Sequence, residues 1–319
     1  MKLMIRVRRA LNALFAAHPS VPDARPAPDP AAGLNHPSRP EVNLIGQNEI
    51  VSLDRWALER RSRALAHALY LGDNVMLCRA LGRYKCYVPA DDDGFAAHLM
   101  MDGVWETWLT VFMARRLEPG MRAVDAGANH GYYTMLFADL VGPNGHVAAI
   151  EANPRTAALL RRTVTVNGFD SRVQVMEVAV TDTDGKSLTF STPLHEPKNA
   201  RIVADDQAGA GDTVTVAGAR LDTLLADWPH VDFIKADVEG AEEAMLEGAW
   251  PILERDRPML LLEFNAGRCV NPGALLDKLS RLYGPFRTVS FDCELEPVSR
   301  AQLLDTGCQE DWLLWFGGD

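Results

Sequence analysis

Residues 124–131 read VDAGANHG, and this stretch decides the fold. It follows a short apolar run at 122–126 and precedes a helical pattern at 132–140. A turn between a strand and a helix is where open α/β sheets bind their ligands. Gly127 allows the chain to turn tightly, and Gly131 allows the helix to begin close to a bound molecule. The stretch therefore predicts a ligand-binding loop at the end of a sheet strand.

The spacing of the glycines distinguishes two classes of cofactor. A dinucleotide fingerprint requires glycine at positions 127, 129 and 132, but this chain has Asn129 and Tyr132 there. Asn129 adopts a positive φ more readily than most residues other than glycine. Asp125, at the end of the strand, would either hold the ammonium group of a methionine moiety or orient the loop. The loop therefore favours S-adenosylmethionine over a nicotinamide dinucleotide.

Glu151 ends the second predicted strand, 24 residues after Gly127. A carboxylate at this point accepts hydrogen bonds from both hydroxyls of a cofactor ribose, and both cofactor classes use it. Its alternative role is to place a negative charge at the N-terminus of the following helix. Taken together with the glycine loop, the position of Glu151 favours the ribose role.

Outward from the loop, strands alternate with segments of helical length to the end of the chain. The predicted strands are 122–126, 146–151, 173–181, 231–238, 259–264, 288–291 and 312–316. The predicted helices between them are 132–140, 154–166, 221–228, 241–250 and 273–283, with a polar hairpin over 183–218. Strands separated by helices imply a mostly parallel sheet that is covered on both faces. We therefore predict an α/β fold with a doubly wound, mostly parallel seven-stranded sheet over residues 119–319.

The residues before this sheet divide into two parts. Residues 1–41 combine a basic, partly apolar start with a proline-rich stretch over 19–40, which is typical of a partly extended linker. The start resembles a signal peptide or a membrane-surface helix, but its apolar stretch is short, so a frayed or partner-packed helix is favoured. Residues 42–118 predict a small, mainly helical N-terminal cap, in which Trp105 and Trp108 are interpreted as core.

A second polar cluster lies at 234–242, which reads IKADVEGAE. Alternation along a strand places Lys235, Asp237 and Glu239 on one side, at or beyond the carboxyl end of the strand. Three ionisable groups are unusual in a buried strand because unpaired buried charge is costly. The alternative is a structural Lys–Asp pair, with acids at the start of the next helix. Glu263 ends the next apolar strand and should point into the same crevice.

The composition limits the classes of partner. Among 319 residues, 43 Asp and Glu outnumber 32 Lys and Arg, and the formal net charge of −11 disfavours a nucleic-acid partner. The five cysteines are scattered, as is typical of reduced thiols in a cytoplasmic protein. Neither they nor the eight histidines have the spacing of a transition-metal site. The sequence contains no run of 18 apolar residues, so it does not predict a membrane-spanning helix. The composition is compatible with an oligomer.

Three stretches, 125–134, 151–154 and 234–242, resemble the FkbM family of methyltransferases. The lead-in DGVWE at 102–106 is similar to the Gly-x-x-Glu that precedes the domain in that family. The resemblance covers roughly 84–262. It implies a Rossmann-like S-adenosylmethionine domain and, usually, O-methylation of a hydroxyl on a sugar or polyketide-type acceptor.

Two positions depart from the family pattern. Ala152 stands where the family often has proline, and it is kept among the expected cofactor-binding residues with Glu151. Asn265 stands where a histidine often follows the acid that ends the strand, so this chain lacks that histidine as a base. The acids around the strand ends are then the candidates for base chemistry.

Methyl transfer is an in-line displacement at a sulfonium, so the protein mainly aligns and desolvates the reactants. A hydroxyl acceptor benefits from a general base, which is worth ~10²–10⁴-fold in rate. Glu239 and Glu263 are the candidates to orient or deprotonate the acceptor. Asp237 is assigned to the methionine end of the cofactor, and Lys235 to orienting Asp237 or the developing alkoxide. A divalent ion bridged by the three carboxylates is compatible with them, but the spacing does not demand one.

Two other functions remain open at this point. A nucleotide-dependent oxidoreductase would need different glycine spacing, and a nicotinamide titration would identify it. A non-catalytic partner of a glycosyltransferase would bind S-adenosylhomocysteine without turnover. For an enzyme, the expected acceptor is a small molecule or a glycan, and nothing in the sequence specifies which one.

Overall fold

The structure is a computed structural model, and the residues it describes are 43–192, 201–203, 212–305 and 311–318. The basic start and the proline-rich stretch predicted over 1–41 lie outside these residues and stay predictions. Residues Leu44–Asp319 cluster as one unit. Among the helices that the structure describes, none is both long enough and apolar enough to cross a membrane.

Helices and strands are numbered along the described chain. The helices are α1 (Gln47–Ser52), α2 (Arg55–Leu65), α3 (Phe95–Met101), α4 (Thr107–Ala114), α5 (Tyr132–Leu140), α6 (Pro154–Val166), α7 (Leu221–Leu224), α8 (Glu242–Asp256), α9 (Pro272–Tyr283) and α10 (Arg300–Leu303). The strands are β1 (Ala68–Gly72), β2 (Val75–Ala80), β3 (Tyr84–Pro89), β4 (Arg122–Ala126), β5 (His146–Ile150), β6 (Val173–Met176), β7 (Ala179–Val180), β8 (Ser187–Thr192), β9 (Arg201–Val203), β10 (Asp212–Ala219), β11 (Phe233–Ala236), β12 (Met259–Phe264), β13 (Arg287–Val289), β14 (Leu295–Pro297) and β15 (Trp312–Phe316). A 3₁₀ turn, Ala266–Arg268, follows β12.

The central sheet has eight strands in the order β14-β13-β15-β12-β11-β4-β5-β6. The strands from β12 to β6 run parallel, and β15 lies antiparallel to β12. β4, β5 and β11 are largely buried, which explains why they read as apolar runs. The strand order reverses at β4, since β5 extends the sheet on one side and β11 on the other. The predicted α/β fold with a doubly wound, mostly parallel sheet is confirmed, and ligands bind such sheets at this reversal.

The sheet has one strand more than the seven predicted, because the chain forms a hairpin after β13. The backbone N–H of Cys293 donates to the carbonyl of Ser290 at 3.0 Å, and Cys293 has a positive φ of 65°. This turn lets β14 pair antiparallel with β13, with Thr288 opposite Glu296. β14 contains only 3 residues. A strand this short has too little periodicity to be predicted from sequence.

The N-terminal cap contains a three-stranded antiparallel sheet, β1-β2-β3, as well as helices. Asp73 and Asn74 connect β1 to β2 with φ values of 50° and 60°, as in a type I′ hairpin turn. Because this hairpin forms, α2 ends at Leu65 and β1 begins at Ala68, within the cap that was predicted to be mainly helical. An Asp-Asn pair is a weaker hairpin signal than Asn-Gly, so the sequence predicted a mainly helical cap.

The cap and the sheet share one hydrophobic core. The ring of Phe112 in α4 packs edge-to-face on Trp315 of β15, with centroids 4.9 Å apart. Phe137 of α5 contacts Phe233 of β11 in the same way at 5.3 Å. All four side chains are fully buried. The division predicted between residues 118 and 119 therefore falls within a continuous core, and it stays a prediction.

The described parts of the excursion predicted over 183–218 belong to a second, smaller sheet. Its strands lie in the order β7-β10-β8-β9. β10 pairs antiparallel with β8 and parallel with β7. Because β7 follows directly after β6, this sheet begins beside the carboxyl end of the central sheet.

Candidate active site

A cleft of about 320 Å³ opens at the carboxyl ends of β4, β5, β11 and β12. It lies where the strand order reverses, as expected for a ligand site in this architecture. Most of the predicted site residues line it, namely Gly127, Asn129, Glu151, Ala152, Lys235, Asp237, Glu239 and Glu263. Asp125 and Gly131 are the predicted residues that do not.

The glycine loop passes against the backbone of its neighbours. Gly127 has φ of +74°, and a Cβ atom built on it would lie 1.7 Å from the carbonyl oxygen of Asp237. Gly131 has φ of +94°, and its Cβ would lie 2.6 Å from Leu160. Asn129 has φ of 50°, in line with the prediction that it tolerates a positive value. Both glycines are therefore required by backbone conformation and by close packing.

Glu151 connects the glycine loop to the next helix. Its Oε2 accepts a hydrogen bond from the backbone N–H of Asn129 at 2.9 Å, and its Oε1 accepts one from the N–H of Asn153 at 2.8 Å. Burial raises the pKa of Glu151 to about 7, and the two hydrogen bonds act in the opposite direction. The contact with Asn153, the N-cap of α6, matches the alternative role at a helix N-terminus. Glu151 also lines the cleft, so it is placed for both roles.

Asp125 is fully buried behind the cleft wall. Its Oδ2 accepts a hydrogen bond from the Thr134 hydroxyl at 2.6 Å, and its Oδ1 lies 3.6 Å from the ammonium of Lys235. Burial raises the pKa of Asp125, although Lys235 opposes the shift. Of its two predicted roles, orientation of the loop and its surroundings fits this position, because the carboxylate is out of reach of the cleft.

Lys235 lies between the two aspartates at the floor of the cleft. Its side chain is only 5% exposed, and Nζ lies 3.2 Å from Asp237 Oδ2. Nζ also donates to the carbonyl of Gly127 at 3.4 Å. Burial alone lowers the pKa of Lys235, but the carboxylates of Asp237 and Asp125 outweigh it and raise the pKa above its usual value. Lys235 is therefore a permanent cation that ties β11 to the glycine loop.

Asp237 and Glu263 form a carboxyl pair with opposite pKa shifts. Burial raises the pKa of Glu263, and the neighbouring Asp237 raises it further. Burial also acts to raise the pKa of Asp237, but Lys235 outweighs it, so the pKa falls. Glu263 is thus the protonated member of the pair at neutral pH. Its Oε2 is buried and has no hydrogen-bond partner among the described residues, so it has capacity for a ligand.

Glu239 lies beyond the end of β11 in a left-handed backbone conformation, with φ of 50°. Such a conformation costs about 1–3 kcal/mol in a residue other than glycine, and it is concentrated at functional sites. Burial and the nearby Asp237 raise the pKa of Glu239 to about 7, against the opposing effect of Arg268. A carboxylate with this pKa exchanges its proton near neutral pH, as a general base must.

Several residues of the cleft were not predicted as site residues. Trp105 was interpreted as core, but it lines the cleft while also packing edge-to-face on Phe95 at 5.4 Å. Glu106 accepts a hydrogen bond from the Tyr133 hydroxyl at 2.9 Å, and the family's Gly-x-x-Glu lead-in was the available signal for it. The remaining cleft residues without a predicted role include Arg268 and Asp311. Arg268 lies in the short 3₁₀ turn and Asp311 in the segment before β15, where a single sequence has no periodicity to mark them.

Asn265, the position that lacks the family's histidine, has a structural role. Its Oδ1 accepts a hydrogen bond from the backbone N–H of Gly267 at 2.9 Å and so caps the 3₁₀ turn. Its Nδ2 donates to Oδ1 of Asp311 at 2.8 Å. The side chain therefore positions its neighbours and does not line the cleft.

Two protein cations lie against the carboxylates of the cleft. Within the described ranges, no group of three or more His, Cys, Asp or Glu side chains has an arrangement that could hold a metal ion. Lys235 and Arg268 both approach the acids that a bridging ion would need. The donor set of this cleft accordingly does not indicate a divalent ion.

Comparison with known proteins identifies relatives of this chain. The family model of the methyltransferase FkbM domain matches residues 125–283. A protein-L-isoaspartate O-methyltransferase of Aeropyrum pernix is 37% identical over 83 residues, which are 26% of this chain and 30% of that protein. The methyltransferase sdnD of Sordaria araneosa is 28% identical over 153 residues, which are 39% of this chain and 59% of that protein. The chain thus spans less than two thirds of the length of either curated relative.

Among solved structures, the methyltransferase FkbM of Methylobacillus flagellatus KT is similar, with 17% sequence identity and a TM-score of 0.40. The match covers 66% of this chain and 53% of that one. The region matched by the family model contains the glycine loop, Glu151, Asp237 and Glu263. The chain belongs to the FkbM methyltransferase family, with its FkbM domain at residues 125–283.

Proposed function

We propose that this protein is an S-adenosylmethionine-dependent methyltransferase that methylates a hydroxyl group on a sugar or secondary-metabolite acceptor. The observation that carries the proposal is the cleft itself, where the glycine loop, Glu151 and the acids of β11 and β12 meet. Membership of the FkbM family supports methyl transfer as the reaction class.

The residues of the cleft fit S-adenosylmethionine along its length. One side is apolar beside Glu151, with Ile150, Ala152, Val178 and Val180, and suits an adenosine whose ribose hydroxyls donate to that carboxylate. The other side carries Asp237, whose charge is maintained by Lys235 and suits the ammonium of the methionine end. When bound, the cofactor supplies a methyl group activated by its sulfonium.

The protein's own contribution to the reaction is to place the acceptor and take its proton. Glu239, with a pKa raised to about 7, is half ionised near neutral pH and serves as the base. Glu263 carries a proton, and its Oε2 has no hydrogen-bond partner among the described residues, so it orients the acceptor by hydrogen bonds. Lys235 holds Asp237 in place and keeps it ionised.

A second candidate acceptor is a carboxylate, because the matched relative from Aeropyrum pernix is a protein-L-isoaspartate O-methyltransferase. The charge of this cleft disfavours such an acceptor. Its ionised acids include Glu106, Asp237, Asp311 and the half-ionised Glu239, against the cations Lys235 and Arg268. An anionic acceptor would meet a surplus of negative charge, whereas a neutral hydroxyl would not.

The test is a screen of cell-extract metabolites with methyl-labelled S-adenosylmethionine, followed by mass spectrometry of labelled products. Label should appear on a hydroxyl of a neutral acceptor, and Glu239→Gln and Glu263→Gln should lower its appearance without weakening S-adenosylhomocysteine binding. A labelled carboxylate ester would contradict the acceptor class. Tight S-adenosylhomocysteine binding with no label on any acceptor would favour a non-catalytic partner, and binding of NAD would favour an oxidoreductase.

A further inference from the structure

Arg268 brings a second cation to the cleft, in addition to Lys235. It is the last residue of the 3₁₀ turn after β12, and its side chain is 34% exposed. Lys235 is paired with Asp125 and Asp237 on the floor of the cleft. The guanidinium of Arg268 instead faces Glu239, farther along the cleft.

Arg268 contacts carboxylates from three separate segments of the chain. Its Nη2 donates to Oδ2 of Asp311, just before β15, at 3.1 Å. Its Nη1 lies 3.5 Å from Oε2 of Glu239 and 3.9 Å from Oε2 of Glu263. Asp311 is in turn held by the amide of Asn265 at 2.8 Å. The guanidinium is therefore anchored on Asp311. On its other side it lies against Glu239 and Glu263, the two acids assigned to the methyl acceptor.

The backbone of the loop that carries Glu239 is held by Glu242, whose carboxylate accepts hydrogen bonds from the N–H groups of Val238 at 3.1 Å and Gly240 at 3.0 Å. Glu239 and Gly240 both have positive φ, at 50° and 95°. The stem of Arg268 runs beside them, since a Cβ built on Gly240 would lie 3.7 Å from Arg268 Cδ. Glu242 therefore fixes the backbone of this loop, and Arg268 is the cation in contact with the Glu239 carboxylate.

We propose that Arg268 is a positioning residue of this site: anchored on Asp311, its guanidinium holds the Glu239 and Glu263 carboxyl groups at the cleft and balances the charge of Glu239. The inference rests on the roles assigned to these two acids in the proposed function. It adds a residue through which the base is positioned, and it makes the loop after β12 part of the acceptor side.

The surroundings of Glu239 make the effect of Arg268 measurable. The ionisable groups facing Glu239 from the β11 loop, α8, β12, the 3₁₀ turn and the segment before β15 are Asp237, Glu242, Glu263, Arg268 and Asp311. Arg268 is the cation among them. Burial, Asp237 and the other acids raise the pKa of Glu239, and Arg268 lowers it. Removing the guanidinium should therefore raise this pKa further.

The experiment is a pH titration of the full chain labelled with ¹³C at the glutamate carboxyl carbons and followed by NMR, with Glu239→Gln to identify the resonance of Glu239. The wild-type midpoint is expected near the value of about 7. In Arg268→Met and Arg268→Gln the midpoint should rise by about one pH unit or more, as for loss of an opposite charge at this distance. In Arg268→Lys the midpoint should differ from that of the wild type by no more than about half of that shift, because the charge is retained.

Arg281→Met is the matched control, since Arg281 is exposed on α9 and does not line the cleft. Its Glu239 midpoint should equal that of the wild type. A midpoint in both neutral Arg268 variants within about 0.3 pH units of the wild type, with the amide spectrum of a folded protein, would overturn the proposal. The titration contains neither cofactor nor acceptor, so a failure of the methyl-transfer proposal would not change its outcome.

Discussion

At the scale of single residues, the site depends on positions where only one kind of side chain fits. Gly127 is the most restricted of them, because its φ is positive and the carbonyl of Asp237 occupies the space of a Cβ. The two loops that carry the glycine turn and the acids are therefore in backbone contact. Any change that separates them would disturb both the cofactor side and the acceptor side of the cleft.

Gly127→Ala is accordingly expected to abolish S-adenosylhomocysteine binding and to destabilise the protein. The matched control is Gly120→Ala, since Gly120 also has a positive φ of +92° but a Cβ built on it would meet no atom within 4 Å. The free energy of unfolding of Gly120→Ala should fall only by the conformational cost of about 1–2 kcal/mol. That of Gly127→Ala should fall by clearly more. Urea unfolding and calorimetry measure the two effects. Equal destabilisation in both variants would mean that the contact with Asp237 is unimportant.

The second residue-scale prediction concerns Glu151. Glu151→Ala should weaken binding of S-adenosylmethionine and S-adenosylhomocysteine by about 1–3 kcal/mol, because hydrogen bonds to the carboxylate are lost. The backbone N–H groups of Asn129 and Asn153 also lose their acceptor. Glu177→Ala is the control, since Glu177 forms an exposed ion pair with Arg161. Calorimetry showing undiminished affinity in Glu151→Ala would exclude the ribose role.

A third prediction follows from the raised pKa of Glu239, which burial and Asp237 bring to about 7 from an ordinary value of 4.5. A raised pKa means that the protonated form is favoured by folding. Its stabilisation is fully present below pH 4.5 and is lost as the pH rises through 7. Between these two pH values the free energy of unfolding of the wild type should fall by about 1 kcal/mol relative to that of Glu239→Gln, after allowance for the partial exposure of this side chain.

The measurement is the free energy of unfolding in urea at several pH values from about 4.5 to about 7.5, for the wild type and for Glu239→Gln. Glu177→Gln serves as the control, and its curve of unfolding free energy against pH should run parallel to that of the wild type. Curves for Glu239→Gln that also run parallel to the wild type would show that Glu239 titrates normally in the folded protein.

At the scale of elements, the sequence predicted the parts of the fold that are governed by long apolar periodicity. The strand at 122–126, the helix at 154–166 and the strand at 312–316 have the predicted bounds in the structure. The two strands are largely buried and the helix buries one face, so their patterns are set by the core. The β1–β2 hairpin and β14 were not predicted, because each depends on a short turn with positive φ at residues other than glycine.

The site was predictable to the extent that its residues end strands. Glu151, Lys235 and Glu263 could be placed because the carboxyl ends of parallel strands meet at one edge of the sheet. Arg268 and Asp311 could not, since they come together only through the packing of two loops. Trp105 was placed in the core because its helical spacing with Trp108 is the same whether a side chain faces the core or the cleft.

At the scale of the whole molecule, the cap and the sheet are expected to unfold together. The rings of Phe112 and Trp315 are in contact, and Arg116 lies over Phe112 with its guanidinium 3.6 Å from the ring centroid. Cap residues Phe95 and Trp105 also line the cleft. Cofactor binding and cap stability should therefore be coupled, since a ligand that binds only the folded state stabilises every element that the state requires.

The final prediction tests this coupling by truncation. Removing residues 1–40 should change the melting temperature by less than about 2 °C and should leave S-adenosylhomocysteine binding intact, because the composition of that stretch predicts few core contacts. Removing residues 1–117 should abolish cooperative folding, since the deletion exposes the apolar face of the sheet around Trp315. Limited proteolysis provides the direct measurement: early cuts should fall between residues 16 and 42, and none within α4. A stable fragment that begins after α4 and still binds the cofactor would show that the cap is a separate module, whereas its absence would establish that the shared core makes cap and sheet one folding unit.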